Sequence, residues 1–318
     1  MEPEILQKLI RDLPEIAAWP DLAAYVDRPI PFTGVSAWDY PMIGCSAVGG
    51  AVELALPAAA AVVCALVSIR LVDDILDDDP QGHYRCVGAG RAANMALALQ
   101  AAGHQMIERS SSSVATRAEA HHLLSKMTLR TALGQDLDSQ AVETEEQYWR
   151  SAEAKSCPMF AMGLSLGALL GGASAKVVSG LAEVGAHLGK LIQISDDMFD
   201  AMSVPARTDW QRPRNNLAIL FALEVQHAGS ERLRDLIAQV ASSEALREAQ
   251  NVLVRSGAIS YCIFKLVETA NAARAALQDL VLSNPEPVHQ LIEANIEPAR
   301  RVLAKVGLGL PPDLTPAS

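Results

Sequence analysis

The sequence has few basic residues for its length, and this shortage limits the partners that it can have. Of its 318 residues, 26 are Lys or Arg and 37 are Asp or Glu, which gives a net charge of −11. No segment gathers its basic residues into a stripe that would neutralise nucleic-acid phosphates. The charge balance therefore argues against a nucleic-acid partner.

Cysteines are also few, and they are spread along the chain without a pairing pattern. No CxxC pair occurs, and no spacing suggests a disulfide framework or a zinc site. We therefore expect reduced, mostly buried thiols in a cytoplasmic protein. The acidic N-terminus, Met1–Glu4, has no signal-peptide pattern. The five cysteines are Cys45, Cys64, Cys86, Cys157 and Cys262.

The sequence lacks a convincing membrane span and any linker. The longest apolar stretches, residues 55–69 and 158–173, are too short or too rich in Gly, Ala and Pro to cross a membrane. Hydrophobic residues make up 50% of the chain, and helical periodicity continues almost from end to end. We therefore predict a single all-α domain over residues 1–318. Within it, residues 1–34 are expected to form N-terminal helices and a loop, and residues 311–318 a loose tail.

Two aspartate clusters, at residues 73–79 and 196–200, each contain the pattern DDxxD. In an α-helix, positions i, i+1 and i+4 lie within roughly 100° of arc, so each trio shares one face. Crowded carboxylates repel each other, but Mg²⁺ prefers such oxygen ligands and commonly joins them to substrate phosphates. A lone acidic run is more often a solvated helix end. Two clusters that each follow an apolar run favour a metal site, and two facing patches would bind a phosphorylated substrate from both sides.

Four segments form an ordered set of landmarks along the chain: Leu71–Asp77, Gly134–Asp138, Tyr148 with Lys155-Ser156, and Gln193–Asp200. They are similar to the first aspartate-rich motif, the Gly-Gln-x-x-Asp segment, the Tyr…Lys-Thr segment and the second aspartate-rich motif of one family. The chain thereby resembles the trans-isoprenyl diphosphate synthases, also called polyprenyl synthetases, of the class I isoprenoid synthase superfamily. The resemblance implies an all-α isoprenoid-synthase bundle around a deep apolar cavity.

The resemblance also implies a substrate, a cofactor and a set of site residues. The substrate would be an allylic prenyl diphosphate, bound through about three Mg²⁺ ions, and the protein would be a homodimer. The implied metal ligands are Asp73, Asp74, Asp77, Asp196, Asp197 and Asp200, while Asp78 either assists them or is a solvated acid. The implied catalytic residues are Asp73, Asp74, Asp77, Asp196, Asp197 and Lys155. The implied substrate-binding residues are Lys155, Gln193, Arg207 and Arg214 at the diphosphate, with Ser68 and Ile69 lining the well.

Two segments depart from the family pattern. Family members that use isopentenyl diphosphate carry a Gly-Lys-Arg-x-Arg-Pro segment on an early loop, but Ser36–Pro41 here has no cation. The Arg-Arg-Gly expected after the first motif is also missing, because Asp79–Arg85 has a single arginine. A second diphosphate needs cationic partners, so condensation with isopentenyl diphosphate is not favoured. Trp38 and Tyr40 either face a carbocation or anchor the loop on the bundle.

Four functions remain open at this stage. The first is a prenyltransferase whose acceptor is not isopentenyl diphosphate, and the second is a terpene cyclase on the same scaffold. The third is the ordinary condensation, with Arg85, Arg91 or His83 supplying an unorthodox site. The fourth is a non-catalytic partner subunit, although such subunits usually lose aspartates that both clusters here retain.

Overall fold

The computed structural model describes residues 3–28 and 35–305, without the side chains of residues 298, 299 and 301–305. These ranges contain helices and no strand, which confirms the all-α prediction. The predicted loop around residues 29–34 and the predicted tail at 311–318 lie outside the described residues. The α-helices are α1 Pro3–Arg11, α2 Pro14–Ala17, α3 Pro20–Val26, α4 Tyr40–Ala47, α5 Leu56–Leu76, α6 Tyr84–Val87, α7 Ala89–Glu108, α8 Val114–Asp138, α9 Glu145–Lys155, α10 Cys157–Leu170, α11 Ala175–Met202, α12 Leu217–Glu224, α13 Ser230–Ile237, α14 Ser243–Arg255, α15 Ala258–Gln278 and α16 Glu286–Lys305.

Several helix boundaries differ from those that the periodicity of the sequence predicts, and three of them have a visible local cause. A helix expected over residues 42–52 is the shorter α4, followed by a 3₁₀ turn at Val52–Ala55. A helix expected over residues 87–108 is divided by Gly88, whose φ of 86° is left-handed, so α7 starts at Ala89. Pro158, expected to kink a helix, instead stands in the first turn of α10, where its missing N–H costs nothing.

The described chain forms two compact groups of contacts. The first comprises the residues up to Thr131, Pro158–Ala186 and Ala276–Leu291. The second comprises Ala132–Cys157, His187–Ala275 and the chain from Ile292 onward. The divisions fall inside α8, α10, α11, α15 and α16 rather than in linkers. The assignment of the chain to one domain stays a prediction.

In the first group, α5 is the central helix. Its residues Ala58–Ala61 are completely buried, and the carbonyl of Ala61 lies 3.4 Å from where a Cβ on Gly103 of α7 would stand. Small side chains thus allow α5 and α7 to pack closely. By length and composition Val52–Leu76 would also pass as a membrane span, but most of it is buried in the protein. A buried core helix meets the same criteria of length and composition, so they are weak evidence for a membrane span.

Helices α4 and α10 of the first group are in close backbone contact at two glycines. A Cβ on Gly44 would overlap the carbonyl oxygen of Leu164, and one on Gly167 would overlap that of Pro41. The ring of Tyr40 packs in the same region, with its centroid 5.1 Å from that of Phe160. The glycines therefore fix the start of α4, immediately after the cation-free loop.

We predict that Gly167→Ala destabilises the protein by about 1–3 kcal/mol, because the added methyl group forces two packed helices apart. The matched control is Gly90→Ala in α7, where a Cβ meets nothing within 4 Å. That change should raise stability by about 0.5–1 kcal/mol through helix propensity alone. Urea unfolding followed by circular dichroism measures both. Equal stability of the two variants would contradict the close contact of α4 and α10.

Candidate functional site

The first aspartate cluster lies where α5 ends. Asp73 and Asp74 belong to the last helical turn, Asp77 follows the final helical residue, and Asp78 has a left-handed φ of 52°. Asp78 accepts hydrogen bonds from the Tyr84 hydroxyl at 2.7 Å and from Nη2 of Arg85 at 2.6 Å. These two donors lower the pKa of Asp78. Of the predicted metal ligands in this cluster, Asp78 is thus engaged by its own loop.

Asp74 is directed toward the chain that follows its cluster. Burial raises the pKa of its carboxyl group, and the charge of Arg70 and the nearby backbone N–H of His83 oppose that rise. A Cβ placed on Gly82 would lie 2.9 Å from that of Asp74, so the loop passes directly against this side chain. His83 itself is buried and stacks on Tyr25 of α3, with ring centroids 4.4 Å apart.

Ser68, predicted to line a substrate well with Ile69, makes hydrogen bonds to α7. Its hydroxyl donates to the carbonyl of Ala96 at 2.9 Å and accepts from Nε2 of Gln100 at 3.0 Å. Ser68 is 2% exposed, whereas Ile69 is partly exposed. The substrate-binding role of both residues stays a prediction.

The second aspartate cluster lies near the end of α11, and its members differ sharply in environment. Asp196 is exposed, and its carboxylate has no hydrogen bond or ion pair with the described residues. Much of its surroundings is nonetheless protein, and this desolvation, with the charges of Asp200 and Asp209, raises its pKa to about 6. Asp200 is half-buried, and burial raises its pKa too.

Asp197, by contrast, is 2% exposed and is surrounded by donors. Its Oδ1 accepts from Nε2 of Gln193 at 2.7 Å, and its Oδ2 accepts from the Tyr148 hydroxyl at 2.7 Å and from the N–H of Leu217 at 2.6 Å. Burial raises the pKa of Asp197 to about 7, and the three hydrogen bonds oppose that rise. The predicted ligand Gln193 also accepts a hydrogen bond from Ser156 at 2.6 Å.

Sequence reasoning missed a fourth carboxylate beside this cluster. Asp209, in the 3₁₀ turn Thr208–Gln211, accepts a hydrogen bond from Nδ2 of Asn216 at 2.7 Å, and burial raises its pKa. Its charge raises the pKa of both Asp196 and Asp200, which places it near them. The family resemblance implies basic residues in this segment, so an acidic residue there is not singled out by the motif.

Lys155 stands at the end of α9, where Gly134 allows α8 and α9 to meet. A Cβ on Gly134 would overlap the backbone of Lys155, so any side chain there would separate the two helices. The contact brings Nζ of Lys155 within 2.7 Å of Oδ2 of Asp138. Nδ2 of Asn215 donates to the other carboxylate oxygen of Asp138 at 3.1 Å. The Gly-Gln-x-x-Asp segment thus positions the lysine that sequence analysis singled out.

The two predicted arginines have different surroundings. Nε of Arg207 lies 3.8 Å from Oδ1 of Asp200, and its guanidinium lies over the ring of Phe199 at 5.9 Å. Nη1 of Arg214 donates to the carbonyl of Glu143 at 2.7 Å and lies 3.7 Å from Oε1 of Glu224. Arg207 is therefore the one placed at the aspartate cluster.

Carboxylate oxygens are the donors that Mg²⁺ prefers, and the second cluster fits that ion. Burial raises the pKa values of Asp196 and Asp200, and the charge of Asp209 raises both further; a bound cation would relieve this repulsion. Within residues 3–28 and 35–305, no three His, Cys, Asp or Glu side chains form a ready-made metal site. Other ligands, such as substrate oxygens, would have to complete the coordination of any bound ion.

Comparison with known proteins identifies the family. Residues 43–253 match the sequence profile of the polyprenyl synthetases, so the chain belongs to the polyprenyl synthetase family, a family of prenyltransferase enzymes. A geranylfarnesyl diphosphate synthase of Aeropyrum pernix is 28% identical over 226 residues, covering 65% of this chain and 70% of that protein. A short chain isoprenyl diphosphate synthase of Methanothermobacter thermautotrophicus is 26% identical over 258 residues, covering 75% and 78%.

The fold is also that of solved polyprenyl synthetases. A polyprenyl synthetase from Streptomyces coelicolor A3(2) superposes with a TM-score of 0.78 at 22% identity, covering 92% of this chain and 95% of that one. A geranylgeranyl pyrophosphate synthetase from Pyrococcus horikoshii Ot3 gives 0.78 at 19% identity, covering 93% and 94%. These likenesses confirm the isoprenoid-synthase fold expected from the sequence.

We predict that Asn216→Ala destabilises the protein by about 2–4 kcal/mol. Asn216 is completely buried, caps α12 by accepting from Ala218 and Ile219, and donates to the carbonyl of Asp197 and to Asp209. The change removes a cap and leaves buried groups unpaired. Thermal unfolding measures this loss of stability. The control is Asn251→Ala, a change at an exposed residue of α14. Equal melting temperatures for the two variants would contradict the central position of Asn216.

Proposed function

We propose that this enzyme, with Mg²⁺, ionises an allylic prenyl diphosphate and transfers the prenyl group to an acceptor other than isopentenyl diphosphate. Carboxylates of the two clusters would hold the ions, among them Asp73, Asp77, Asp196 and Asp200. Bound Mg²⁺ would supply charge neutralisation for the departing diphosphate. Lys155, fixed by Asp138, and Arg207, beside Asp200, would bind diphosphate oxygens.

The acceptor proposal rests on the two segments that have few basic residues, Ser36–Pro41 and Asp79–Arg85. Trp38 and Tyr40 are 4% and 1% exposed, so they anchor the early loop rather than offer a binding surface. Asp39, between them, is partly exposed and would repel a second diphosphate. Neither aromatic ring supports the idea that this loop faces a carbocation.

Of the three side chains considered for an unorthodox isopentenyl diphosphate site, two form ion pairs and the third is buried. Nη2 of Arg85 bonds both the carboxylate and the carbonyl of Asp78. Arg91 forms an ion pair with Asp21. His83 is buried, and burial lowers its pKa, which favours a neutral ring with little attraction for an anion. None of them is poised for a second diphosphate.

The ordinary condensation remains a second candidate, because the relatives named above are prenyl diphosphate synthases. A cyclase on the same scaffold needs the same allylic site and differs only in where the attacking π-bond comes from. Family membership supports a catalytic protein over a non-catalytic partner subunit.

The deciding experiment supplies Mg²⁺ and geranyl, farnesyl or geranylgeranyl diphosphate, each with and without isopentenyl diphosphate. Products are identified by mass spectrometry before and after phosphatase treatment. We expect diphosphate release that isopentenyl diphosphate does not change. A longer prenyl diphosphate would show the ordinary condensation and refute the loop argument, and a hydrocarbon or terpene alcohol from one substrate alone would show a cyclase.

We predict that Asp196→Asn slows diphosphate release roughly 100-fold or more, because an amide oxygen is a weaker metal ligand than a carboxylate. The control is Asp235→Asn, an exposed aspartate of α13. Repulsion within the cluster is relieved in Asp196→Asn, so its melting temperature should not fall. A normal rate in this variant would remove Asp196 from the metal-binding residues.

We predict that Lys155→Met raises KM for the allylic diphosphate about 10–100-fold through the loss of a charge-assisted hydrogen bond. The control is Lys176→Met, an exposed lysine at the start of α11. Steady-state kinetics and thermal unfolding should be measured together. A lowered melting temperature with an unchanged KM would mean that Lys155 serves only as the partner of Asp138.

A further inference from the structure

Two histidines that belong to neither aspartate cluster contact each other between α7 and α8. Nδ1 of His104 lies 2.9 Å from Nδ1 of His121, and the two rings are stacked with their centroids 5.1 Å apart and their planes at 27°. Both side chains are half-buried, and both lie in the first group of contacts. This histidine pair therefore links two consecutive helices within one compact unit.

The spacing of the two nitrogens limits how many protons the histidine pair can hold. At 2.9 Å the contact is a hydrogen bond, in which one Nδ1 donates its hydrogen and the other accepts it with a lone pair. An imidazolium ring carries hydrogens on both nitrogens, so two charged rings would bring two N–H groups face to face. Their positive charges would also repel each other. The contact is thus compatible with one charged ring at most.

Glu108 favours a particular place for that one charge. Its Oε1 accepts a hydrogen bond from Nε2 of His121 at 2.7 Å, and its Oε2 lies 3.3 Å from Nε of Arg117 of α8. The hydrogen bond from His121 and the charge of Arg117 lower the pKa of Glu108, so its carboxylate stays negative. A first added proton is therefore stabilised on His121, whose Nδ1–H then donates to a neutral His104.

His104 lacks a comparable partner for a second charge. Within the described chain it has no hydrogen bond or ion pair to an acidic group. Burial lowers the pKa of His104, and the charge of His121 lowers it further. On α5, the side chain nearest to the adjacent Gly103 includes that of Cys64, and burial raises the pKa of this thiol to about 12, so it carries no charge at neutral pH.

The other charged groups around the histidine pair do not supply that partner. Arg109, at the end of α7, is positive and donates to two backbone carbonyls at the end of α1. On α8, His122, Lys126 and Glu119 are exposed. In the described chain, none of these elements brings a negative charge that raises the pKa of His104.

We propose that the histidine pair is a pH-sensitive contact, which holds α7 and α8 together while at most one ring is charged and releases them when both are. The direction of the effect follows from His104. Its pKa in the folded protein lies below the ordinary value of 6.5, so its protonation favours opening. The stabilisation is complete above about pH 6.5 and is lost as the pH falls through the lowered pKa of His104. The proposal depends neither on the reaction nor on a bound metal ion.

The first test follows protonation of the two rings by NMR of the full-length protein with ¹⁵N-labelled histidine. We expect the histidine pair to take up its protons in two steps. The step at His104 should lie about half a pH unit or more higher in His121→Gln than in the wild type, because a charged neighbour has been removed. The control is His122→Gln, which removes an exposed histidine beside the pair and should leave that step unchanged. An unchanged midpoint of His104 in His121→Gln would overturn the proposal.

Hydrogen exchange then tests whether the second proton opens the contact. The probe is the amide of Ser110, which donates to the carbonyl of Ile107 where α7 ends. Between pH 7.5 and pH 5, its protection relative to the intrinsic exchange rate should fall roughly threefold or more in the wild type. In His104→Gln, which has no titrating ring at this position, the protection should stay nearly constant.

The wild-type protein decides the question even if a variant does not fold. Loss of protection at Ser110 should occur at the pH where the second ring of the histidine pair becomes protonated. Loss at a different pH, or no loss, would overturn the proposal.

Thermal unfolding provides an independent measurement. The melting temperature of the wild type relative to that of His104→Gln should decrease by about 2 °C or more between pH 7.5 and pH 5. Other groups that titrate in this range, such as Asp196 with its raised pKa of about 6, are present in both proteins and cancel in the difference. A difference that stays the same at the two pH values would contradict a stabilising role for the neutral ring of His104.

Discussion

Repulsion between carboxylates opposes the formation of both aspartate clusters, and the rest of the structure has to overcome it. A helix does not favour several aspartates within one turn, least of all near its C-terminus, where the helix dipole also opposes negative charge. The aspartates are held there because the preceding turns are anchored by burial. Ala58–Ala61 of α5 and Leu188, Leu191 and Ile194 of α11 are completely buried. Packing energy in the apolar part of each helix thus maintains an arrangement that charge alone would disperse.

In the second group, a network of hydrogen bonds stabilises one of these carboxylates, that of Asp197. Asp197 is satisfied by a phenol, an amide side chain and a backbone N–H that come from three helices. Asn216 adds a fourth link, because it caps α12 and also donates to the carbonyl of Asp197. The buried carboxylate of Asp197 needs its three hydrogen-bond donors to be stable. Because those donors come from three helices, the same carboxylate also joins the helices.

Much of the fold and part of the site followed from the sequence. Periodicity predicts helices such as α8, α14 and α16 closely, and the two DDxxD patterns locate the clusters at helix ends. The different environments of Asp196 and Asp197 did not follow, because a pattern shows angular spacing but not which direction is buried. Asp209 was missed for a related reason, since its place near the cluster depends on the turn Thr208–Gln211. Similarly, Pro158 lies in the first turn of α10 rather than inside a longer helix, because α9 ends at Lys155, and local propensity does not reveal that break.

The alanines of α5 have a further effect on the residues that this helix carries. Alanine has no side-chain rotamers to lose on burial, so ordering this segment costs only backbone entropy. Where α5 passes Gly103 of α7, the nearest groups of α5 are Ala61 and Cys64, so few rotamers can exchange at that point. Thermal fluctuation of Asp73 and Asp74 relative to the core is then governed by the backbone of one helix. The positions of these carboxylates should consequently vary little with temperature until the helix itself unfolds.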